Sequence, residues 1–114
     1  MKKRFIIKKN FEFTNIINKN QKYGNQYFSI YVSKSNLNHY RFGISVPKKI
    51  GKAVGRNKIK RQIKSILRSN KNYFKVIDYV IIVKKGLLDL NYQVIKNKLI
   101  SLLFNLGKEF KDEN

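Results

Sequence analysis

The chain has 114 residues, 26 of them Lys or Arg and 6 Asp or Glu, for a formal net charge of +20 at pH 7. That length and a 42% hydrophobic content suit one domain around one core, and the charge calls for a polyanion or an anionic surface as partner. Zero cysteines exclude disulfides and Cys-based metal sites, the lone His39 excludes a His cluster, and no run approaches the roughly 18 apolar residues of a membrane span.

Residues 1–9 read as a basic arm; the apolar run 5–7 is too short for the hydrophobic region of a signal peptide, so the expected compartment is the cytoplasm. Asn10 is placed to cap a short helix, with Glu12 in its first turn and Phe13, Ile16 and Ile17 at helical spacing. The helix should fade at 18–20, and 21–26 reads as a loop marked by Gly24. Residues 27–33 alternate, with Phe28, Ile30 and Val32 on one face and Tyr27, Ser29 and Tyr31 on the other. After turn chemistry at 35–38, residues 40–46 alternate again: Tyr40, Phe42, Ile44 and Val46 against Arg41, Gly43 and Ser45. These two strands are expected to pair as an antiparallel hairpin, with Pro47 closing the second strand or its edge.

Residues 48–55 form a basic loop whose glycine spacing does not match a nucleotide phosphate loop; Gly51 is expected to supply a turn conformation there. A helix is predicted over 56–70. Ile59, Ile63, Ile66 and Leu67 make its apolar side, and Asn57, Lys60, Arg61, Lys64 and Arg68 lie opposite. An ordinary solvated helix mixes Glu with Lys, whereas no Asp or Glu lies between Glu12 and Asp78. The continuous apolar run in 78–84 predicts a central strand covered on both faces. Gly86 then breaks the chain, and Asp89 or Asn91 caps a last helix with the stripe Tyr92, Ile95, Leu99, Leu102, Leu103 and Leu106. Gly107 is expected to end that helix, leaving 108–114 as a tail. This order gives a single α+β domain over 1–114, a sandwich of helices on a small mixed sheet.

The acids Glu12, Asp78, Asp89, Glu109, Asp112 and Glu113 form no pocket motif, and no nucleophile system is present. The residues therefore assign no catalytic group and no metal ligand to the protein. RNA binding remains the best reading. A structural ribosomal RNA-binding protein is the alternative; a membrane-surface role lacks the exposed aromatic helix face it would need.

The run Gly-Ile-Ser-Val-Pro-Lys-Lys-Ile-Gly-Lys-Ala-Val-Gly-Arg-Asn-Lys-Ile-Lys-Arg, residues 43–61, resembles the signature of the bacterial ribonuclease P protein component. That signature is a strand ending in a small-residue turn, then Lys-Lys-x-Gly-x-Ala-Val, then Arg-Asn-Arg-x-Lys-Arg on a helix. One position departs: Lys58 stands for the second Arg, which keeps the charge and loses a bidentate fork. The resemblance implies a two-layer αβββαβα sandwich with a left-handed βαβ crossover, where physics alone would favour the right-handed one. It implies a subunit that assists endonucleolytic removal of the 5′ leader from precursor tRNA, with hydrolysis carried by the RNA subunit and its Mg2+ ions. The implied partners are the catalytic RNA and precursor tRNA, with no membrane and no small-molecule substrate. On this likeness Lys48, Lys49, Lys52, Arg56, Asn57, Lys58, Lys60, Arg61, Lys64 and Arg68 would contact the catalytic RNA, and Phe13, Ile17 and Tyr31 would line a groove for the leader.

Overall fold

A computed structural model describes residues 2–110. Four strands, β1 (Lys22–Gly24), β2 (Phe28–Lys34), β3 (Arg41–Ser45) and β4 (Ile77–Val83), form one mixed sheet in the order β1-β2-β4-β3. β2 is antiparallel to both β1 and β4, whereas β3 runs parallel to β4. The helices are α1 (Asn10–Asn18), α2 (Ala53–Ser69) and α3 (Tyr92–Glu109). The main core lies between the sheet and α2 with α3, where Phe28, Ile30, Val32 and Phe42 meet Ile59, Ile63, Leu99 and Leu103. A smaller cluster, Ile7, Ile16 and Val80 with Phe13, Ile17, Tyr31 and Ile82 against it, seats α1 on the other face.

The expected β2–β3 hairpin does not form. Alternation shows that a segment is a strand but not which strand it pairs with. The more apolar β4, buried at every position but Ile82, takes the place between them, because a strand flanked on both edges and covered on both faces must be apolar wherever a polar side chain has no partner. The short connector 35–40 instead folds on itself, with Ser35 Oγ donating to His39 O at 3.2 Å. β1 arises inside the segment expected to be a loop. Asn25 sets the turn that follows it, its Oδ1 accepting from the backbone N–H of Tyr27 and Phe28 at 2.9 Å each.

The handedness of the β3–α2–β4 crossover follows from one hydrogen bond. For an L-residue in a strand running upward with its side chain toward the viewer, the residue's own N–H and C=O point right. Phe42 points its side chain at the α2 face, and its carbonyl accepts from Ile7 N at 2.8 Å, on the edge away from β4. β4 therefore lies to the left of β3 with α2 in front, which is a left-handed crossover. The same bond shows that the segment expected as a basic arm is docked in part: Ile7 is buried, and Ile6 bridges to Phe42.

Several helix ends differ from expectation. Lys9, not Asn10, precedes α1, and no side chain caps it. α2 starts at Ala53, taking Gly55 into its first turn, where backbone N–H groups lack helical partners in any case. Asn91 caps α3, its Oδ1 accepting from Val94 N at 3.0 Å. Tyr92 is exposed in the first turn of α3 rather than part of its stripe. α3 continues through Gly107 to Glu109; a helical glycine costs about 1 kcal/mol, offset by the burial of Phe110, whose carbonyl accepts from Lys75 Nζ at 2.8 Å. Of the expected tail, 111–114 lies outside the described residues.

Candidate nucleic-acid interface

α2 is held by its apolar side, with Ile59, Ile63, Ile66 and Leu67 buried. Its opposite side presents Asn57, Lys58, Arg61, Lys64 and Arg68 to solvent, while Lys60 is half-buried at the margin. Lys48, Lys49 and Lys52 are exposed on the preceding loop. That loop is drawn in close at Gly51, whose backbone is fully extended (φ 170) rather than turned. A Cβ there would meet the end of the Leu88 side chain, which would have to shift, so close approach, not a special φ, is what favours glycine. Arg56, expected to face RNA, is half-buried and donates from Nε to Gly51 O at 3.1 Å, so it also ties the loop to the helix. Among the described residues no carboxylate pairs with any of these cations; both ion pairs belong to Arg41.

Arg41 is a structural cation. It donates from Nη2 to Asp78 Oδ2 at 2.8 Å, from Nε to Asp78 Oδ1 at 3.0 Å and from Nη1 to Glu12 Oε2 at 2.7 Å. These bonds hold its pKa above the ordinary value and join α1, β3 and β4. They also occupy two of the acids. Among the described residues no three His, Cys, Asp or Glu side chains come together.

Beside α1 runs a cleft of about 590 Å³, with Phe13, Ile17, Ile44 and Ile82 among its apolar walls and Lys8, Lys60 and Lys64 at its rim. Gly43 on β3 makes the floor under Phe13: a Cβ at Gly43 would stand 2.6 Å from Phe13 Cζ. The absent side chain thus leaves room for the tip of the aromatic ring against the strand. The structure brings Phe13 and Ile17 together with Lys60 and Lys64, which the sequence had left as two separate surfaces. It adds Lys8, hidden in a run of like residues. Tyr31 is not among the residues lining this cleft; it packs against the α1 cluster, with Lys22 Nζ 5.9 Å from its ring centroid.

Fold and site together define a class: a basic α+β protein with a left-handed βαβ unit, a cationic helix and an adjoining apolar cleft. The ribonuclease P family model matches residues 1–107, and the chain belongs to the family of bacterial ribonuclease P protein components. It is 47% identical over 105 residues to the ribonuclease P protein component of Mycoplasma mycoides, covering 90% of this chain and 96% of that one. A Staphylococcus aureus RNase P protein mutant superposes with a TM-score of 0.87 at 36% identity, covering 93% of this chain and 90% of that one. The Thermotoga maritima protein gives 0.80 at 32%, covering 87% and 94%. Proteins of this family act with an RNA subunit in tRNA 5′ processing, as a component of an endoribonuclease. Among the described residues no helix is long and apolar enough to cross a membrane.

Proposed function

We propose that the whole chain, 1–114, acts as one RNA-binding domain in the cytoplasm. It docks on the catalytic RNA through Lys48, Lys49, Lys52, Arg56, Asn57, Lys58, Lys60, Arg61, Lys64 and Arg68, and it holds the single-stranded 5′ leader of precursor tRNA in the cleft at Phe13 and Ile17. Mg2+ bound by the RNA would supply the activated water; the protein's part is to position. Tyr31, which packs with Phe13 and Ile17 against one cluster, extends the leader's path beyond that cleft as its third wall. The observation that carries this reading is the contiguity of Lys60 and Lys64 with Phe13 and Ile17 in one cleft. An apolar, partly aromatic floor takes bases by stacking without regard to sequence, and a cationic rim follows the phosphates.

The test compares binding of precursor tRNA with mature tRNA, which has no leader. Phe13→Ala should cost roughly 1–3 kcal/mol of affinity for the precursor, the range for one stacked base, and leave mature tRNA unchanged. Equal losses for both RNAs would remove Phe13 from the leader site.

A further inference from the structure

A second cleft, of about 560 Å³, opens where the N-terminal segment meets the far end of α2, lined by Lys2, Arg4, Phe5, Tyr40, Arg68 and Lys71. The Phe5 ring stacks on Tyr40 with centroids 4.8 Å apart and planes 21° from parallel. Tyr40 is held from the core by edge contacts with Phe42 at 5.5 Å and Phe74 at 5.3 Å. The guanidinium of Arg4 sits over the Phe5 ring, its central carbon 4.8 Å from the centroid. Arg4, Phe5 and Tyr40 therefore make a three-tier stack, rigid at its base and ending in a planar cation.

All four cations around this stack are exposed, and among the described residues no carboxylate pairs with any of them. Four like charges gathered without a counterion repel one another; a bound phosphate removes that repulsion. A guanidinium over a ring leaves its N–H groups for phosphate oxygens and its plane for a base.

We propose that this cleft is a nucleotide site. It takes one unpaired nucleotide of an RNA strand, with the base stacked on the Arg4 guanidinium and the phosphate held by Arg68 and Lys71. Arg68 lies one helical turn beyond Lys64, roughly 6 Å along the axis at about 1.5 Å per residue, and Lys64 lines the larger cleft. A short single-stranded segment leaving that cleft spans this distance. The strand has two possible sources, the leader beyond the larger cleft or an unpaired stretch of the catalytic RNA. The proposal rests on the reading that this protein binds RNA, but not on the role of Phe13.

The test uses the full chain, wild type, Arg4→Gln/Lys71→Gln and Arg4→Lys, titrated with precursor tRNA, mature tRNA and the catalytic RNA. Both positions are exposed, so the melting temperature should not move. The double variant should bind one of the two RNA partners about fivefold or more weaker, as for loss of a stacked base, with a salt slope shallower by about 0.7–0.9 for each phosphate no longer neutralised. A loss confined to precursor tRNA identifies the leader; a loss confined to the catalytic RNA identifies that strand. Arg4→Lys, which keeps the charge and removes the plane, should share the loss. Unchanged affinity for every RNA in the double variant overturns the site, and full affinity in Arg4→Lys overturns the stacked base. Failure of the underlying RNA-binding reading is seen separately, as a wild-type chain that binds neither partner.

Discussion

The contact between Gly43 and Phe13 can be tested by a double-mutant cycle. A methyl group at Gly43 would stand 2.6 Å from Phe13 Cζ and 2.9 Å from Cε1, so Gly43→Ala must push the ring out of its place. Overpacking of this kind costs about 1–3 kcal/mol. Phe13 is half-buried, so Phe13→Ala should cost about 2 kcal/mol, half of the ~4 kcal/mol typical of a core Phe. With Phe13 already truncated, the Gly43 methyl enters vacated space, and the strand gains the ~0.5–1 kcal/mol by which Ala exceeds Gly. The double variant should thus be no less stable than Phe13→Ala alone, a coupling of about 2 kcal/mol or more. Urea unfolding of the four proteins, with equal m-values as the check on two-state behaviour, reads this directly. Losses that add within ~0.5 kcal/mol would mean that ring and glycine do not touch. Leader binding gives a second readout, because Gly43→Ala displaces the ring without removing it and should weaken precursor tRNA as Phe13→Ala does.

Arg41→Met leaves the carboxylate of Asp78, which is 6% exposed, and that of Glu12 without their shared cation, and should cost about 2–4 kcal/mol in urea unfolding; a loss under ~1 kcal/mol would show that the three charges are independent. Burial lifts the Tyr79 phenol from 10.0 to about 12, with the hydrogen bond from Lys75 N opposing it. The folded form therefore resists ionisation more than the unfolded one. This stability is complete below pH 10 and lost as the pH rises to 12. Relative to Tyr79→Phe, the wild type should lose roughly 2–3 kcal/mol across that window, at ~1.4 kcal/mol per pH unit; a constant difference would contradict it. Replacing Lys60, Arg61 and Lys64 by Ala leaves Arg56 to hold Gly51, and should flatten the salt dependence of catalytic-RNA binding by about 0.7–0.9 log units for each phosphate left without its cation. An unchanged slope in the folded variant would mean that these cations face only solvent.

The basic helix was legible because its signal is local: Ile59, Ile63, Ile66 and Leu67 recur at helical spacing opposite cations, and the structure buries all four. The same holds for β4, whose apolar run admits only a central place. Pairing was not legible, since Phe42 and Ile44 alternate alike whether their neighbour is β2 or β4. β1 was missed because Lys22–Gly24 is too short to show a period. At the candidate site Phe13 and Ile17 could be named from helical spacing and likeness, but the seat of the Phe13 ring depends on Gly43, a residue whose contribution is an absence. That Tyr31 packs with Phe13 and Ile17 yet does not line the cleft beside α1 was not legible either: a strand face is visible in sequence, but which flank of α1 it meets is not. Arg41 reads in sequence only as a strand residue opposite Phe42, and its ion pairs with Glu12 and Asp78 need the fold to appear.

The central claim is that this protein positions RNA and contributes no chemistry of its own. It is tested most directly by cleavage of precursor tRNA with the catalytic RNA alone, the protein alone and both together, at Mg2+ low enough that the RNA alone is slow. The account predicts no cleavage by the protein alone and a marked acceleration when both are present, smaller for a substrate lacking most of its leader. Cleavage by the protein after nuclease treatment of the preparation, or no acceleration of the RNA, would contradict it.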